Sequence, residues 1–93
     1  MDKFKIELSP AASRDLDDLE IPIVTKVVSG LKILQENPFP KGKRIKKVKG
    51  KRTVFYRLRI DTFRVFFEIH HRRIGVLRVL SKKEADRFIK RIQ

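Results

Sequence analysis

From Thr53 to Ile69 the chain alternates apolar and polar side chains through two runs, separated only by Asp61-Thr62. Period-two alternation marks a strand with one buried face, and so short a link can only return the second run along the first. The spacing predicts a β-hairpin, Thr53–Ile60 against Phe63–Ile69. One face carries Val54, Tyr56, Leu58 and Ile60 with Phe63, Val65, Phe67 and Ile69, and it must be covered. The opposite face carries Phe55, Arg57, Arg59, Arg64, Phe66 and Glu68 and is expected to stand open. Arg78 joins it if the last strand holds Ile74, Val76 and Leu80 in register.

The cover comes from upstream. Phe4, Ile6 and Leu8 alternate as a short strand, and Ser9-Pro10 supplies an N-cap followed by a proline suited to a first helical turn. Ala12, Leu16 and Leu19 stripe that helix, with Asp15, Asp17 and Asp18 read as solvated charge. Ile21-Pro22 starts a second helix, striped by Val24, Val27, Val28, Leu31 and Leu34 and stopped at Asn37-Pro38. A loop, a basic strand Arg44–Lys49 and a turn at Gly50 precede the hairpin. His71-Arg72-Arg73 is a second turn, and Ile74–Leu80 a further strand. Lys83–Ile92 forms a last helix capped by Ser81, with Phe88, Ile89 and Ile92 apolar. The 93 residues are expected to fold as one α+β domain: a small antiparallel sheet packed on two N-terminal helices, with a short C-terminal helix.

Charge narrows the function. The net charge is +13, and it is concentrated. Residues 1–40 hold five Lys/Arg and seven Asp/Glu, whereas residues 41–73 hold thirteen Lys/Arg against Asp61 and Glu68 alone. A block of one sign repels itself, which suggests an anionic partner. Lys46, Lys47, Lys49, Lys51, Arg52, Arg78 and Lys82 are candidate RNA-binding residues. There is no cysteine, so disulfide and thiolate chemistry are excluded. No apolar run is long enough to span a bilayer, and Met1-Asp2-Lys3-Phe4-Lys5 lacks the order of a secretory leader, so the cytoplasm is the expected compartment. The four glycines form no phosphate-binding loop, and adjacent His70 and His71 point to opposite faces with no third ligand, so neither a cofactor nor a metal is expected.

Arg57, Arg59 and Arg64 are the leading candidates for gripping phosphate, since guanidinium forks pair with phosphate at two points. Phe55 and Phe66 admit two readings: stacking surfaces for bases, or a minor core closed by the C-terminal helix.

The ordered set Ser9-Pro10-Ala11-Ala12, Asp15-Leu16, Glu36-Asn37-Pro38, Val48-Lys49-Gly50, Tyr56-Arg57-Leu58-Arg59, Phe63-Arg64-Val65, Glu68-Ile69, Val76-Leu77-Arg78-Val79 and Lys82-Lys83 resembles the RelE/ParE superfamily of type II toxins. It spans nearly the whole chain and lies closer to the RelE branch. The resemblance implies a cognate acidic antitoxin, and it implies cleavage of mRNA in the ribosomal A site by attack of a 2′-hydroxyl on the adjacent phosphate. It places the catalytic basic residues on Arg57, Arg59, Arg64 and Lys83. Many relatives carry Tyr or His near the C-terminus for proton transfer; here Phe88 holds that position, and Ser81 stands where some have His. An arginine stays protonated and cannot be an ordinary base, which leaves Glu68, or Lys82 or Lys83, as the candidate for proton transfer. The alternatives are a ParE-like inhibitor of DNA gyrase and a catalytically weakened nucleic-acid-binding relative.

Overall fold

The computed structural model describes residues 3–93; Met1 and Asp2, the start of the segment read for a leader, lie outside it. β1 (Lys5–Leu8) leads into α1 (Pro10–Asp17) and α2 (Ile21–Glu36). Then come β2 (Ile45–Lys49), β3 (Val54–Ile60), β4 (Phe63–His70), β5 (Arg73–Ser81) and α3 (Lys82–Ile92). The strands form one sheet in the order β1-β5-β4-β3-β2. β2 to β5 are an antiparallel meander, as the hairpin signals predict. β1 adds to the outer edge of β5 in parallel, which makes the sheet mixed. The β3–β4 and β4–β5 links are each two residues long, and Asp61 and His71 take left-handed φ of 53° and 56° there, a conformation Asp and His tolerate better than most.

Ser9 shows how the helical layer is fastened. Its Oγ accepts the Ala12 amide at 3.0 Å, closing the first turn of α1, and donates to the Leu77 carbonyl at 2.8 Å. One hydroxyl thus caps the helix and binds it to β5. Against the covered face of the sheet, α2 buries Val27, Gly30, Leu31 and Leu34 on Leu58, Ile60, Val65 and Phe67. Val28, expected on the buried stripe, is exposed, because α2 rests on the sheet through Gly30 instead. A Cβ on Gly30 would stand 2.5 Å from Ile60 Cδ1, so any larger residue there would have to push the Ile60 side chain aside.

The second face is not open. Between Phe66 and Phe67 the β4–β5 register shifts: Phe66 lies opposite Arg78, Phe67 opposite Val76, and Leu77 is the extra residue of a β-bulge. The bulge re-phases the strand, so Ile74, Val76 and Val79 enter the main core while Leu80 turns to the other face with Phe66. α3 closes over them: Phe66, Leu80 and Ala85 are buried, with Leu77, Phe88 and Ile89 packed around them. A Ser81–Glu84 capping box starts this helix. The Lys82 amide donates to the Thr62 carbonyl and the Lys51 amide to the Ile92 carbonyl, both at 2.9 Å. α3 therefore runs from the β3–β4 turn to the β2–β3 turn, tied at both ends. No helix among the described residues is long and apolar enough to cross a membrane.

Candidate nucleic-acid interface

The register gathers the arginines. Arg57 and Arg59 are alternate residues of β3, Arg64 lies directly across from Arg59 on β4, and Arg57 lies between Lys46 on β2 and Phe66 on β4. Directly opposed side chains on one face have Cβ atoms about 4.5–5.5 Å apart, and like charges so placed repel. No carboxylate forms an ion pair with any of the three among the described residues.

They sit at different depths. Arg59 is exposed and Arg57 half-buried, whereas Arg64, expected in solvent, is only 7% exposed. Arg64 Nη1 donates to the Asp61 carbonyl at 3.0 Å and to the Phe63 carbonyl at 2.9 Å, so the β3–β4 turn fixes its guanidinium. Burial lowers its pKa most, the fields of Arg57 and Arg59 add to this, and Asp86 on α3 opposes them. The guanidinium nonetheless stays charged at neutral pH. Arg57 Nε is shut from solvent and has no hydrogen-bond partner in the protein. A buried cationic donor left without an acceptor is costly, which favours a shift of the half-buried Arg57 side chain toward a bound anion.

Of the other predicted residues, Lys46 stands beside Arg57. Lys47 and Lys49 pair with Tyr56 and Val54, which puts them on the opposite face. Lys51 and Arg52 are exposed in the β2–β3 turn, and Lys82 and Lys83 are exposed in the first turn of α3. The bond from the Lys82 amide to Thr62 sets that first turn against the link that holds Arg64. Glu68 lies on the arginine face, two residues along β4 from the partner of Arg57, and its carboxylate is 2.8 Å from His70 Nε2. Of the two readings of Phe66, the minor core holds: it is fully buried, 4.8 Å from the Phe88 ring. Among the described residues no three His, Cys, Asp or Glu side chains converge as a metal site requires.

Two placements differ from the sequence reading. Arg78, a candidate RNA contact, is ion-paired: Asp15 accepts from its Nε at 2.8 Å and its Nη2 at 3.0 Å. The hydrogen bond to Asp15 is the chief reason its pKa is raised. Asp15, in turn, is no solvated charge: its Oδ2 also accepts the Val79 amide at 2.9 Å. The partners are 63 residues apart, and no local pattern announces them. His70 pairs with Glu68, and its place two residues further along an alternating strand is the signal in the sequence that puts both on one face.

Residues 6–92 match the family described as the ParE toxin of the type II toxin-antitoxin system parDE. The chain belongs to that family. The toxin is 37% identical over 84 residues to a protein of Methanocaldococcus jannaschii named "Putative toxin RelE1", a match covering 88% of this chain and 92% of that protein. It superposes on a chain of the RelE-RelB complex from Pyrococcus horikoshii with a TM-score of 0.72 at 19% identity, covering 85% of this chain and 94% of the other. With the toxin-antitoxin complex RelBE2 of Mycobacterium tuberculosis the TM-score is 0.74 at 23% identity, over 85% and 98% of the two chains. These superpositions establish the RelE-like fold, and the family match establishes a toxin of a type II toxin–antitoxin system.

Proposed function

We propose that the toxin is an endoribonuclease that cuts mRNA held on the ribosome, acting in the cytoplasm and restrained by an acidic antitoxin. The observation that carries this reading is the cluster Arg57, Arg59 and Arg64, three cations without an ion-paired carboxylate among the described residues, one with a buried donor still unsatisfied. Such a cluster suits a phosphate whose charge grows in the transition state. The 2′-oxygen of one nucleotide attacks the adjacent phosphorus, the bond from phosphorus to the 5′-oxygen breaks, and the products are a 2′,3′-cyclic phosphate and a 5′-hydroxyl. One proton leaves the 2′-hydroxyl and one is delivered to the departing 5′-oxygen. Arg57 and Arg59 grip the phosphate, and Arg64, fixed by the turn, stabilises its charge from below. Lys83 steadies the flanking backbone. Proton removal falls to Glu68 with its partner His70, or to Lys82 or Lys83. Phe88 contributes no such group, so catalysis rests on positioning and charge.

The test is to express the toxin in cells and map mRNA ends on translating ribosomes. Cuts inside reading frames that vanish in the Arg57→Ala, Arg59→Ala double variant support the reading. Unchanged cleavage and toxicity in that variant exclude this face as the active site. Growth arrest with intact mRNA and inhibited gyrase selects the second reading, a gyrase inhibitor, which the match to ParE toxins favours. Binding without cuts marks a weakened relative.

A further inference from the structure

On the α2 side of the sheet, at the rim that bears the β3–β4 turn, lies a cleft of about 640 Å³ between α2, the residues leading into β2 and the end of β3. Lys26, Ser29, Lys43, Arg44, Arg59 and Asp61 line it. Gly30 and Ile60 form part of its floor, where α2 comes close to β3. Four cations thus surround one carboxylate. Asp61 Oδ2 takes Lys26 Nζ at 3.0 Å, with both side chains more than half exposed. Lys43, Arg44 and Arg59 have no ion-paired carboxylate among the described residues. An exposed pair of this kind contributes little to stability and is readily exchanged for another anion. Arg59 belongs to both places: it opposes Arg64 on the sheet face and borders the cleft.

We infer that this cleft is a second phosphate site for the RNA strand. The strand passes from the arginine face around the rim at Arg59, and a phosphate flanking the scissile one replaces the Asp61 carboxylate at Lys26, with Lys43 and Arg44 as its further partners. The inference rests on the proposed function, whose site lies on the other face. Asp61 then acts as a built-in competitor that occupies Lys26 until RNA arrives. Its main-chain carbonyl meanwhile holds Arg64, so the same turn touches both sites.

The probe is single-stranded RNA with 2′-deoxy sugars at the cut position, as a trinucleotide and as a longer oligonucleotide able to reach α2, with binding read by anisotropy across a salt series. The Lys26→Ala, Lys43→Ala, Arg44→Ala triple variant is expected to bind the trinucleotide like the wild type. It should lose about tenfold in affinity for the long RNA, with the log–log salt slope reduced by about 0.7 for each contact removed. Asp61→Asn, which keeps a residue tolerant of left-handed φ, should tighten binding of the long RNA alone. Equal losses for both lengths would show a diffuse field and overturn the inference. So would unchanged binding of the long RNA with trinucleotide binding intact, which leaves the proposed function standing. A wild-type toxin that binds neither length overturns the inference, while the proposed function is decided separately by cleavage on ribosomes.

Discussion

The Phe66 and Phe88 rings lie 4.8 Å apart at 50°, and this contact holds α3 across the arginine side of the sheet. Around it are only Leu77, Leu80, Ala85 and Ile89, a small apolar cluster beside the main core. Phe88→Ala should cost about 2–3 kcal/mol, below the range for a fully buried phenylalanine because Phe88 is half-buried. Hydrogen exchange should speed up along α3 and stay slow in β3 and β4. Uniform acceleration through the sheet would show that α3 is no separate unit. An antitoxin that takes over the cluster has this helix to displace.

Phe88→Tyr tests the chemistry of the same position. The ring keeps its packing and gains a hydroxyl able to donate or accept a proton. Cleavage on ribosomes should rise if proton transfer limits the wild type, and single-turnover rates measured beside the wild type decide it.

Arg59 and Arg64 should part company on mutation. Arg59 is exposed, so Arg59→Ala should change stability by no more than about 0.5 kcal/mol. Arg64 makes two hydrogen bonds to backbone from a buried position, and Arg64→Ala should cost about 2–3 kcal/mol by urea unfolding at unchanged m. Arg64→Lys should recover little of it, because one ammonium cannot reproduce the planar fork. Equal costs at the two positions would contradict the buried placement.

Asp15→Ala removes the acceptor of three hydrogen bonds and leaves the Arg78 guanidinium without its partner. A loss of about 2–4 kcal/mol is expected from a partly buried charged pair. RNA binding by the surviving folded fraction should be unchanged, or slightly tighter if Arg78 swings free.

The strands were legible because alternation is a local signal, and so were the helix starts at Ser9-Pro10 and Ile21-Pro22. Alternation also assigned Arg57, Arg59 and Arg64 to one face. It could not say how deeply that face would be covered, since the cover, α3, lies some twenty residues further along the chain. The extra residue at Leu77 was hidden for another reason: a bulge shows only against the partner strand, and β5 read alone continues the period through Ile74, Val76, Arg78 and Leu80. The Asp15–Arg78 pair and the parallel edge strand are long-range matters of the same kind. The composition of the basic block could not say which of its lysines share a face with Arg57, since that is set by the pairing of β2 with β3.

The parallel seam between β1 and β5 bears on the moment at which the toxin comes into being. The Ser9 hydroxyl bonds to the Leu77 carbonyl 68 residues later, and Lys5 aligns with Arg73. Non-local pairings of this kind are slow to form, because the whole intervening chain must first be brought into a loop. A nascent chain emerging from its own ribosome has no β5 for β1 to join, and no Leu77 carbonyl for Ser9 to bind. The first helix therefore waits, without its bond to the sheet, until the last strand has been made, and only then can the seam close.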